Sequence, residues 1–224
     1  IPLHGKSSFS FGKSMHTTLE LFFNEMKKHA SQGQAELFDA SDFEPTLEYL
    51  YELLEENWID ECYPTAKDKA DAKERGKKML KDFYDKFKDN WPEVYATEQP
   101  FSISIGKYKV NGSIDRIDID GENLRIIDYK TSSQPGSQSS IDKDQLMIYQ
   151  IAVEETLEKG VSELAYYYLD GQDEYSFTAT DKQKDRLKEK MLDTFKKLEN
   201  SDFEATPSQF LCKHCDYNSI CPYR

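Results

Sequence analysis

The stretch GSIDRIDIDGENLRIIDYKTS, Gly112 to Ser132, decides how this chain is read. Two runs rich in Ile, Leu and Asp flank an Asp120-Gly121 pair, a dipeptide that favours a tight hairpin turn. The runs are therefore expected to be neighbouring antiparallel strands. Asp128 and Lys130 stand two residues apart on the second run, so period-two geometry turns both to one face. A buried acid beside a buried lysine is costly unless something uses them.

Asp115 on the first run completes the pattern D-x12-D-x-K. A divalent cation takes hard oxygen ligands, and a scissile phosphate needs positive charge near its developing negative charge. Asp115, Asp128 and Lys130 supply both, as a metal-dependent phosphodiesterase would require. The spacing alone leaves a second reading open. Asp115 with Arg116, and Asp128 with Lys130, would also suit surface cross-strand ion pairs on a charged hairpin.

Working outward, Gln99 to Ile105, Tyr108 to Ile119 and Asn123 to Thr131 read as strands, with a further turn at Gly106-Lys107. A Ser, Gly, Gln and Pro loop over Gln134 to Ser140 precedes a helix at Asp142 to Lys159. Glu163 to Leu169 and Tyr175 to Ala179 read as strands, and Lys182 to Glu199 as a helix. Upstream, Lys13 to His29 is expected to be amphipathic, with Met15, Leu19, Phe22 and Met26 as its stripe. A polar acidic loop, a helix over Pro45 to Asn57 and a charged helix over Lys67 to Asp89 follow. The fold class is thus α/β, a mixed sheet flanked by helices. Residues 1–224 form one unit: a helical part over 1–92, a core over 93–200 and a cysteine-bearing tail over 201–224.

Two side-chain sets can reach the hairpin. Gln145 and Tyr149, four apart on the helix after the loop, share one helical face. His16 lies beside the apolar stripe of the first helix, where a ring nitrogen could join a metal's coordination. Each alone is an ordinary helix-surface residue.

The net charge is −13, which does not suit a chain gripping phosphates unaided. Ten acids and no Lys or Arg between Glu36 and Glu61 account for most of the excess. Charge therefore neither supports nor excludes nucleic acid. Mean hydropathy is −0.78 and no apolar run reaches membrane-span length, so no membrane partner and a cytoplasmic location are expected. The start at Ile1 leads to the expectation of a fragment of a longer polypeptide.

Cys212-x2-Cys215-x5-Cys221 has metal-ligand spacing. Thiolates suit zinc and iron–sulfur alike, and the spacing does not choose between them.

The order FGKSMHTTLE, GSIDRID, IIDYKT, QLMIYQ and CKHC…C resembles the RecB-type branch of the PD-(D/E)XK nuclease superfamily over about Phe11 to Cys221. The resemblance implies a restriction-endonuclease-like fold and a metal-dependent deoxyribonuclease using Mg²⁺ or Mn²⁺. It makes His16, Asp115, Asp128 and the Tyr129 backbone carbonyl the metal ligands. Lys130 becomes the catalytic lysine, and Gln145 with Tyr149 the Q-x3-Y pair that contacts DNA or orients that lysine. The tail cysteines resemble the 4Fe–4S ligands of AddB-like subunits and CRISPR adaptation exonucleases. Their fourth cysteine lies upstream of the histidine helix, whereas here the only other one is Cys62, after His16. The missing ligand is expected either before Ile1 or at Cys62, with His214 a bystander. The implied setting is the end of a UvrD-like helicase, with unwound DNA as substrate. A free-standing CRISPR-adaptation-type exonuclease and a non-catalytic DNA-binding or docking module are the alternatives.

Overall fold

The computed structural model describes residues 6–32, 43–215 and 217–223. The acidic loop expected after the first helix lies largely outside the described residues. So do the side chain of His214 and the residues Asp216 and Arg224.

Three helices come first: α1 (Ser7–Gln32), α2 (Leu47–Glu56) and α3 (Ala66–Phe87). Thr46 and Thr65 cap α2 and α3 by accepting the Tyr49 and Asp68 N–H groups, each at 3.1 Å. Strands β1 (Val94–Ile105), β2 (Tyr108–Asp120) and β3 (Asn123–Ser133) follow, then α4 (Asp144–Thr156), β4 (Val161–Asp170) and β5 (Asp173–Phe177). Helix α5 (Asp181–Glu199) starts on a Thr180–Gln183 capping box, and the short α6 (Gln209–His214) lies in the tail.

The five strands lie in chain order, β1-β2-β3-β4-β5. All neighbours are antiparallel except β3 and β4, which are parallel and joined through α4. That single crossover makes the sheet mixed. Leu124 and Ile126 of β3, with Leu164, Tyr166 and Tyr168 of β4, pack into a core with α4 and α5. Ile127, Tyr129, Ala165, Tyr167 and Leu169 turn the other way, toward α1, α2 and α3. Both faces are covered, which is why these strands are nearly all apolar.

α1 supplies Phe11, Met15, Leu19 and Phe22 to the second core. α3 approaches it closely at Gly76, where a Cβ would stand 3.2 Å from Met15 Sδ and 3.3 Å from the Phe11 ring. Buried Ser10, Ser14 and Thr18 fit this apolar face because the latter two donate to backbone carbonyls four residues earlier. The result holds His16 against the sheet.

The alternation of β1 and β2 breaks at one level. Ile114 and Ile117 face the same core although they are three residues apart. Asp115 sits in that break, between the paired rungs Thr97↔Arg116 and Gln99↔Ile114. Glu98, between the same rungs on β1, takes a left-handed φ of 42°. This local departure sets the floor of the site.

Candidate metal and phosphate site

Asp115, Asp128 and Lys130 lie side by side on β2 and β3. The surface-pair reading fails on burial: Asp128 is only 2% exposed. Arg116, the partner that reading gives Asp115, turns to the opposite face and pairs with Asp118 at 2.9 Å.

Asp115 Oδ2 accepts the Tyr129 backbone N–H at 2.8 Å and lies 3.3 Å from His16 Nδ1. This fixes the orientation of the Tyr129 peptide between Asp128 and Lys130. His16, Asp115 and Glu98 bring their ligand atoms within 4.8 Å of one another. Asp128 is outside that triplet, yet its charge acts on His16, and the charge of Asp115 acts on it.

Asp128 Oδ2 lies 2.6 Å from Lys130 Nζ, but the pair is not aligned as a hydrogen bond and the oxygen keeps no hydrogen-bond partner. Lys130 thus balances the charge without filling the lone pairs. Lys130 Nζ also donates to Gln145 Oε1 at 3.1 Å, and Gln145 Nε2 donates to the Tyr149 hydroxyl at 2.8 Å. The ammonium lies 4.8 Å from the centre of the Tyr166 ring, a cation–π distance. Residues from β3, α4 and β4 therefore fix one flexible side chain.

The electrostatics favour a cation beside these carboxylates. Burial, and then the charge of Asp115, push the Asp128 carboxyl up to about 6 against the pull of Lys130. Burial alone would lower His16, but its hydrogen bond to Asp115 and the charges of Asp115, Asp128 and Glu98 carry it above the ordinary histidine value. Imidazole and carboxylate donors around an unsatisfied buried oxygen fit Mg²⁺ or Mn²⁺.

Glu98 is the member that sequence reading missed. Its available signal was register: it lies eight residues before Gly106 of the turn, as Asp115 lies eight after Lys107. The tail cysteines stand apart. Cys212, Cys215 and Cys221 are free thiols, and so is Cys62. Among the described residues they do not close into a ligand group. A 770 Å³ cleft between α4 and α5 is also remote from the site chemistry.

The family model of the PD-(D/E)XK nuclease superfamily matches residues 3–222. This chain belongs to the PD-(D/E)XK nuclease superfamily. Membership implies a metal-dependent nuclease, and the mixed five-stranded sheet flanked by helices is the restriction-endonuclease-like fold of such proteins. Among curated proteins, this PD-(D/E)XK chain is 30% identical to the Gene 69 protein of Mycobacterium phage L5 over 133 residues. That match covers 57% of this chain and 44% of the phage protein. It is 31% identical to the Gene 69 protein of Mycobacterium phage D29 over 134 residues, covering 57% of this chain and 48% of that one. The chain spans about half the length of the curated relatives it matches. The solved structure of SSO0001 aligns over 95% of this chain and 84% of its own, with a TM-score of 0.38 and 18% identity.

Proposed function

We propose that this domain is a deoxyribonuclease that hydrolyses phosphodiester bonds of single-stranded or unwound DNA with Mg²⁺ or Mn²⁺. The observation that carries this reading is Lys130, held 2.6 Å from Asp128 and 3.1 Å from Gln145 beside the His16–Glu98–Asp115 group.

His16, Glu98, Asp115 and Asp128 would hold the cation, with the Tyr129 carbonyl as a further ligand. When bound, the cation supplies an activated water and charge stabilisation at the phosphate. Asp128 must be ionised to bind it. Lys130 would offer its ammonium to the phosphate oxygens as negative charge gathers there. Gln145 keeps that ammonium from swinging away, and Tyr149 keeps Gln145 in place. The buried Tyr166 ring walls off the far side.

The larger setting is part of the same proposal. A net charge of −13 leaves little for gripping a DNA backbone, so a helicase region of the same polypeptide would hold the strand, in repair or recombination. By resemblance, Cys212, Cys215 and Cys221 hold a 4Fe–4S cluster whose fourth ligand is Cys62 or precedes Ile1. Three tail thiols are one short of that set.

The test is cleavage of labelled single-stranded DNA with and without Mg²⁺. Activity that needs the metal and is lost in Lys130→Ala supports the reading. Activity that survives Lys130→Ala, or that ignores chelation, contradicts it.

A further inference from the structure

α1 has a third face, used neither by its core stripe nor by the metal group. Phe9, Lys13, Thr17 and Glu20 follow one another at three- and four-residue steps, so they line one side of the helix. With Ser113 of β2, they border a 580 Å³ cavity whose inner end is formed by His16 and Glu98. Two of the candidate metal ligands are thus walls of the cavity. It opens onto the reacting centre.

The cavity is chemically polarised. Phe9 at its outer end is 68% exposed, whereas Phe11, Phe22 and Phe23 of the same helix are buried in the core. Most of its surface is open to solvent. Lys13, one turn further on, is exposed and makes no ion pair among the described residues, in a chain with 42 acids against 29 Lys and Arg. Glu20 and Glu98 occupy the inner end, where Glu98 belongs to the metal group. Lys13 is thus the only Lys or Arg lining the cavity, beside the open aromatic face.

We infer that this cavity is a subsite for one nucleotide of an unpaired strand, flanking the scissile phosphodiester. Phe9 stacks on the base and Lys13 neutralises a backbone phosphate. The volume suits such a unit, and aromatic stacking beside a cation is how unpaired strands are held without sequence preference. A base inside a duplex is already stacked on both faces and offers Phe9 nothing. The subsite therefore selects unpaired DNA. This inference rests on the phosphodiesterase reading of the neighbouring site.

The experiment is fluorescence anisotropy with a labelled single-stranded oligodeoxynucleotide, intact or carrying an abasic run, without divalent cation so that the strand stays whole. Phe9→Ala should weaken binding of the intact strand roughly 5- to 100-fold and affect the abasic strand far less, while Phe9→Trp retains binding. Lys13→Gln should flatten the salt dependence by about 0.7 in log–log slope, the value for one phosphate of a single strand. Unchanged affinity in Phe9→Ala, or an equal loss on both strands, overturns the subsite. Phe9 is exposed, so its variants are expected to keep the wild-type melting temperature. The two readings separate cleanly. A wild-type protein that binds with these sensitivities but never cleaves with Mg²⁺ overturns the nuclease reading alone. One that cleaves and is indifferent to Phe9→Ala overturns the subsite alone.

Discussion

Arg116 Nη1 donates to the Tyr129 hydroxyl at 2.6 Å on the face of the sheet opposite the metal group. Arg116 is 1% exposed, is paired with Asp118 at 2.9 Å, and lies over the Phe23 ring. Tyr129 is thereby held at both ends, its ring by Arg116 and its backbone N–H by Asp115. Removing the guanidinium would leave Asp118 buried and unpaired, a type of loss worth about 3–5 kcal/mol. Arg116→Met is expected to lower the urea midpoint accordingly. Adding Asp118→Leu should restore much of it, and a cycle of the two variants measures the coupling.

Asp128 sets a pH dependence. Its carboxyl, raised to about 6 by burial and by Asp115, holds its proton more tightly in the folded chain than in the unfolded one, where the value is about 3.9. Its contribution to stability is therefore fully present below about pH 4 and is lost as pH rises through about 6. Asp128→Asn should stabilise the metal-free protein at neutral pH, by about 3 kcal/mol at most, and the gain should vanish in acid. Thermal melts across the acid range check this. Cleavage should run the other way, falling as pH drops below about 6, because the protonated carboxyl cannot bind the cation.

Glu98 combines a ligand position with a strained backbone. A non-glycine residue in the left-handed region costs roughly 1–2 kcal/mol, and Glu98 has a φ of 42°. Glu98→Gly should come out about 1 kcal/mol more stable than Glu98→Gln in urea. Both should bind Mn²⁺ at least about tenfold more weakly than wild type in a calorimetric titration.

Under the proposed function Gln145 acts through Lys130, to which it is hydrogen-bonded at 3.1 Å. Gln145→Ala frees the ammonium and should lower kcat about 100-fold while KM changes little, as expected for a misplaced catalytic group. Tyr149→Phe removes only the hydroxyl that supports the Gln145 amide, and its effect should be several-fold smaller. Steady-state cleavage of a short labelled strand separates the two.

Much of this arrangement was legible in the residues. Turn dipeptides and period-two spacing located the hairpins, and D-x12-D-x-K located the acids and the lysine. What was hidden has physical causes. α1 begins at Ser7, not at Lys13, because Phe11 finds a partner in Trp58, at 6.2 Å, that local propensity cannot foresee. SSFSFG reads as a loop until that packing exists. β1 begins at Val94, not at Gln99, because Pro100 and the left-handed Glu98 disguise it. Pro100 is tolerated because β1 is an edge strand. Glu98 carries no motif and is found only by counting along the hairpin. Arg116 suited a surface pair with Asp115 because burial, which matches it with Asp118 instead, is a tertiary fact.

The most direct measurement is cleavage of a labelled single-stranded oligodeoxynucleotide by wild type and by Asp128→Ala, side by side, with Mg²⁺ and with chelator. The account predicts cleavage by wild type only with the metal, and none by a folded Asp128→Ala protein. Equal cleavage by both proteins, or cleavage by wild type in chelator, would contradict it.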